Sequence, residues 1–215
     1  MKVRFVLIVL VVGVQFISAA ISGRALAAVI SEHDAASLRR GAVTFVNLCM
    51  LCHDMKYLDY ASLRELDFPR QQLDTLRHGN SLQSHLRSAM TPEAARKLFG
   101  MEVPDLSLMA RAREGGAGYV YHLLTAYYKT DAGTIDNRQF PQIRMPDVLG
   151  YAVESGSQAR GALETQARDV AAFLDWAAEP QAGIRRRLGY FVMGYLVVLT
   201  GLLYLVKKKV WRRLR

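Results

Sequence analysis

Apolar positions along the chain fall into two regimes. Two stretches, 5–22 and 188–206, carry no charge at all, and between them apolar residues recur at helical intervals among polar and proline- or glycine-marked segments. At the start of this middle region Leu38, Ala42, Phe45 and Cys49 repeat three or four residues apart, the stripe of a helix with one buried face. Ser31 and Asp34 stand before it at capping-box-like spacing. "GYVYHLLTAYY" predicts a second apolar helix, and "VPDLSLMARAR" ahead of it reads as a loop entering a helix that breaks at Gly115-Gly116. "TQARDVAAFLDWAAEP" offers Thr165 as an N-cap and puts Val170, Phe173, Leu174 and Ala177 on one face. Residues 57–98 are polar and predict several short helices without firm boundaries. Residues 128–149, with Gly133, Pro141 and Pro146, predict a long irregular loop. Alternating strand patterns are scarce, so the fold class is mostly α.

The uncharged stretches need a different reading. The nineteen residues of 188–206 would rise about 28 Å as a helix, close to the hydrocarbon thickness of a bilayer. Thr200 is the one markedly polar residue there besides the tyrosines; Arg185, Arg186 and Arg187 precede the run, and Lys207, Lys208, Lys209, Arg212, Arg213 and Arg215 follow it. The heavier positive end is expected in the cytoplasm. At the other terminus Lys2 and Arg4 precede the apolar run, and Ala25-Leu26-Ala27 lies beyond it, the order of a secretory signal peptide cut after Ala27. The expected organisation is therefore a signal peptide at 1–27, an exported domain at 28–184 and a single-pass anchor with a basic cytoplasmic tail at 185–215.

That topology also explains the charge. The chain carries a net +9, yet residues 29–180 hold 16 Lys+Arg against 19 Asp+Glu. The basic excess sits beside the apolar stretches, and no Lys/Arg cluster marks the domain as a nucleic-acid binder.

The two cysteines, Cys49 and Cys52, are followed directly by His53. An exported dithiol would tend to oxidise, and a thioredoxin-like site needs a strand–helix setting that the helical pattern lacks. A structural zinc site needs two further ligands, and His33, His78, His85 and His122 form no pair at ligand spacing. Covalent haem attachment needs only what is present: two thiols three apart for two thioethers, and an adjacent histidine for the iron. A second axial ligand from the opposite face is typically methionine. Met50 and Met55 are too near the attachment site, and Met90 and Met109 read as helix packing. Met145, in the proline-framed "FPQIRMPDVLG", is the expected ligand, with Met101 the alternative. An iron filled at both poles carries single electrons and leaves no position for a substrate.

In order, C-x-x-C-H, "PDLSLMARAREGGAGYVYHLLT", the proline-framed methionine, "FLDWAAEP" followed by arginines, and an anchor containing "LTGLLYL" resemble the cytochrome c1 family from about Leu38 onward. The resemblance implies a cytochrome c-type haem domain with long irregular loops and one C-terminal transmembrane helix. It implies one covalent haem c on Cys49 and Cys52, axial bonds from His53 and Met145, Arg113 and Tyr119 at a haem propionate, and Pro104 in the pocket wall. The implied role is a non-catalytic electron-transfer subunit of quinol–cytochrome c reductase. It would accept an electron from the Rieske iron–sulfur protein, pass it to a cytochrome c, and sit beside cytochrome b in a dimeric complex. The setting would be a bacterial-type inner membrane, with the haem domain periplasmic. A free-standing anchored cytochrome c and a haem-based sensor are the rival expectations. Two departures stand out: "KLFGMEV" replaces the family's Asn- and Gly-rich turn, and Arg144 precedes the methionine where small residues are usual. A cation beside the iron is expected to raise the potential.

Overall fold

The computed structural model describes residues 34–213, so the signal-peptide reading and Ser31 lie outside the described residues. The described chain forms two compact units that divide between Ala178 and Glu179.

The first unit is mostly helical. Helix α1 (Ala35–Asn47) begins at Asp34, whose carboxylate accepts from Ala36 N–H at 3.3 Å, and buries Leu38, Ala42, Phe45 and Val46. Strand β1 (Met55–Asp59) pairs antiparallel with the short β2 (His85–Leu86), and α2 (Arg70–Leu76) lies between them in the chain. Helix α3 (Pro92–Phe99) follows, then α4 (Met109–Ala112) and α5 (Gly116–Thr125). A hairpin of β3 (Tyr127–Lys129) and β4 (Ile135–Asn137) and a long irregular segment lead to α6 (Ser157–Ala178).

Helices α1, α5 and α6 make the core, with α6 central. Its face carries Val170, Ala171, Phe173, Leu174 and Ala177, all buried. Phe173 packs on Phe45 with ring centroids 5.7 Å apart. The two helices approach closely at Gly41, where a Cβ would overlap the Asp169 carbonyl oxygen and come within 2.7 Å of Phe173 Cβ. Beside that contact the Asp169 carboxylate, 4% exposed, accepts from Arg40 Nε at 2.6 Å and Nη2 at 3.1 Å, and from the Ser37 hydroxyl. The buried anion is thus satisfied from α1 alone.

Two expectations change here. Thr165 is not an N-cap: α6 starts two turns earlier, and the Thr165 hydroxyl donates back to the Gly161 carbonyl at 2.9 Å, as threonines do inside helices. The stretch 128–149 is not wholly irregular, because Tyr127–Lys129 pairs with Ile135–Asn137 across a turn at Gly133.

The Asp59 carboxylate accepts from Ser62 N–H at 2.8 Å and Ser62 Oγ at 2.6 Å, at the first residue of a 3-10 turn at Ser62–Leu66. The Ser62 hydroxyl chiefly, outweighing burial, holds this carboxyl below the usual range. Asp59→Ala is expected to cost about 1 kcal/mol at neutral pH. Because the folded state binds the proton less readily, this stabilisation is present above the ordinary carboxylate range and fades as pH falls through the folded value. Denaturation of wild type and variant across pH 2–7 checks it, the two curves converging at the acid end.

The second unit is one helix, α7 (Ala182–Arg213). Its apolar window has a mean hydropathy of 1.9 and holds no buried residue, and the helix is long and apolar enough to cross a membrane.

Candidate functional site

Cys49, Cys52 and His53 sit on a tight turn directly after α1. Leu48 N–H still reaches the Thr44 carbonyl, and then the chain tightens into a 3-10 turn at Cys49–Leu51. The Cys49 carbonyl accepts from both Cys52 N–H at 3.1 Å and His53 N–H at 2.8 Å, which folds the three residues back on one another. Both cysteines are unpaired thiols and half-buried. Burial, with the Cys52 thiol close by, pushes Cys49 up to about 12, so it is a poor thiolate. Among the described residues no three His, Cys, Asp or Glu side chains converge to hold a metal.

His53 shows the most telling contact. Its Nδ1 donates to the Pro104 carbonyl at 2.8 Å. A carbonyl accepts only, so this bond places the proton on Nδ1 and leaves the Nε2 lone pair for a metal. Burial, outweighing the Pro104 bond and the nearby Asp105 charge, lowers the histidine's pKa and keeps the ring neutral. The donor set therefore fits a c-type haem: two free thiols on one turn, and a neutral, oriented imidazole beside them.

Pro104 was expected as a pocket wall, and the structure gives it this hydrogen bond. What the sequence reading passed over is how Pro104 is fixed. Leu106 N–H donates to the Asp54 carbonyl at 2.8 Å. Lys56 N–H donates to Asp105 Oδ2 at 3.0 Å, and Tyr57 N–H to the buried Ser107 hydroxyl at 3.1 Å. Asp105 also accepts from Ser107 N–H at 2.9 Å. Asp105 and Ser107 thus lace the "PDLS" stretch to the residues following His53; their polarity inside an otherwise apolar motif was the available signal.

Met145 lies in the segment between β4 and α6, half-buried and packed against the core. Its carbonyl accepts from the Tyr127 hydroxyl at 3.0 Å. Tyr127 is 3% exposed, and burial, reinforced by the Asp147 charge, raises its pKa, so it stays a proton donor. The base of the segment hangs on Asn137, fully buried, whose Nδ2 donates to the Leu123 carbonyl at 2.8 Å and whose Oδ1 accepts from Gln139 and Phe140 N–H. Asn137 and Tyr127 were not anticipated; nothing local in the sequence marks them. Arg144 does not stand free: its Nη1 donates to the Phe99 carbonyl at 2.6 Å. Met101, 52% exposed, follows that helix end closely.

Arg113 and Tyr119 are brought together across the Gly115-Gly116 break, the guanidinium carbon 5.8 Å from the ring centroid. Arg113 is exposed and has no ion-pair partner among the described residues, so its charge is available to an anion.

Residues 25–91 and 75–214 match the Cytochrome C1 family. A cytochrome c1 of Blastochloris viridis is 32% identical over 84% of this chain and 82% of its own length. One from Allochromatium vinosum is 33% identical, over 85% and 86%. A protein of Nitrosomonas europaea named ammonia monooxygenase gamma subunit is 30% identical, also over 85% and 86%.

Proposed function

The chain belongs to the cytochrome c1 family, and from that premise we propose that it is the membrane-anchored electron-transfer subunit of a quinol–cytochrome c reductase. Bound covalently, a haem supplies one-electron chemistry at its iron. Cys49 and Cys52 hold the group by thioethers from the turn after α1. His53 presents Nε2 to the metal, its ring fixed by the Pro104 carbonyl. Met145 would supply a second ligand from the segment that Tyr127 and Asn137 hold. Arg113, stacked on Tyr119, meets a propionate.

The residues would make no bond to a substrate; with His53 and Met145 both bound, the metal would keep no position for one. The electron arrives from the Rieske iron–sulfur protein and leaves to a cytochrome c. Helix α7 crosses the membrane beside cytochrome b with its lysine- and arginine-rich end in the cytoplasm, so the haem domain lies on the periplasmic side. The assembly is dimeric.

The observation that carries this reading is the His53–Pro104 hydrogen bond, which prepares the histidine as a metal ligand in a chain with two free thiols beside it. The test is purification of the full chain from membranes. The expected product is red, keeps its pigment through acidified acetone, and co-purifies with cytochrome b and a Rieske protein. Extractable pigment would refute covalent attachment. A red chain that purifies without those partners would favour the free-standing cytochrome.

A further inference from the structure

Arg144, on the Met145 segment, meets Gly100 at the end of α3. Helix α3 starts at the Thr91 cap with Pro92 in its first turn and ends at Gly100, which adopts a left-handed φ of +70° and returns its N–H to the Arg96 carbonyl at 2.9 Å. The Phe99 carbonyl belongs to the last turn, where helix carbonyls lack an internal partner. Arg144 supplies one, at 2.6 Å, and brings a cation to the negative end of the helix. The fit is close. The left-handed φ favours glycine there, and a Cβ on Gly100 would overlap Arg144 Nη1, so an added methyl would push the guanidinium off its seat. Beyond the glycine, Glu102 pairs back with Arg96, which also reaches Glu93 at 3.4 Å, bracing the turn that receives the guanidinium.

The next residue is Met145, whose carbonyl is held by Tyr127 from β3. Two consecutive residues of one irregular segment are therefore tied to two different parts of the domain. We infer that Arg144 is a positioning residue: by capping α3 it clamps the segment so that the Met145 side chain stays on the metal. This rests on the ligation proposed above. The guanidinium keeps its charge when it donates to a neutral carbonyl, so the expected upward push on the potential stands beside the clamp.

The test uses the full-length, haem-loaded protein and its Arg144→Ala, Arg144→Lys and Gly100→Ala variants. Each is read by the ferric methionine-to-iron absorption band and by the rate at which imidazole displaces the methionine. Arg144→Ala is expected to weaken the band and speed displacement about tenfold, the scale of one lost charge-assisted hydrogen bond. Arg144→Lys, which keeps a donor, should recover part of the loss. Gly100→Ala keeps every charge yet fills the guanidinium's place, and should behave like Arg144→Ala. If wild type shows the band and Arg144→Ala matches it in both readouts, the clamp is wrong while the ligation stands. A change confined to the midpoint potential, with displacement unchanged, also overturns the clamp. A wild type without the band overturns the ligation and the clamp together.

Discussion

Haem-loaded Met145→Leu protein is expected to stay red but to have a lower midpoint potential, the fall being on the order of 0.1 V within the ~0.8 V span that axial ligands command. The backbone anchors of the segment do not involve the substituted side chain. Tyr127 binds the Met145 carbonyl, Arg144 binds α3, and Asn137 holds the base. Leucine has nearly methionine's volume, so the packing against the core should survive. What disappears is the thioether sulfur, which favours ferrous iron. Carbon monoxide should then bind the reduced form readily. Met101→Leu is the control, expected to leave both readouts alone. A Met145→Leu midpoint equal to wild type would place the sixth ligand elsewhere, and a shift in Met101→Leu would say where.

Gly41→Ala should be the most damaging single methyl in the domain. The added carbon overlaps the Asp169 carbonyl oxygen, a backbone atom of α6, and crowds Phe173 Cβ. Neither can swing aside as a flexible side chain would, so the helices must separate along the seam that holds Phe45, Phe173 and the Arg40–Asp169 pair. A cost of about 3 kcal/mol is expected, or roughly 6–12 °C in thermal midpoint for a unit of this size. Gly161→Ala in α6 is the matched comparison. Nothing lies within reach of a Cβ there, so it should be neutral or slightly stabilising. Equal midpoints for the two variants would show that α1 and α6 are not so closely packed in solution.

The features readable from sequence were those written in neighbouring residues. Helix α1 announced itself by apolar spacing, and Cys49, Cys52 and His53 by adjacency, since attachment to one ring demands it. Helix α7 followed from nineteen uncharged residues. Helix α3 was left indistinct although Thr91, Pro92 and Gly100 punctuate it. Its apolar residues Ala94, Ala95, Leu98 and Phe99 make a stripe barely one turn long, and only Ala95 is buried. The start of α6 was misplaced for a similar reason: its first two turns are exposed, and what closes the segment onto them is Arg160, which donates to the Glu154 carbonyl at 2.7 Å. The supports of the site were hidden for a different cause. Asn137, Tyr127 and Arg144 act through backbone carbonyls 14 to 45 positions away, and a carbonyl carries no residue identity to recognise.

The bond between His53 and the Pro104 carbonyl spans 51 positions. During synthesis the imidazole leaves the ribosome well before its acceptor does. Until the later stretch emerges and is laced along β1, either nitrogen can carry the ring's proton and the ring can spin. Ring alignment is consequently a late event in biogenesis, and a nascent chain halted ahead of Pro104 holds the cysteines in place with a histidine still undecided.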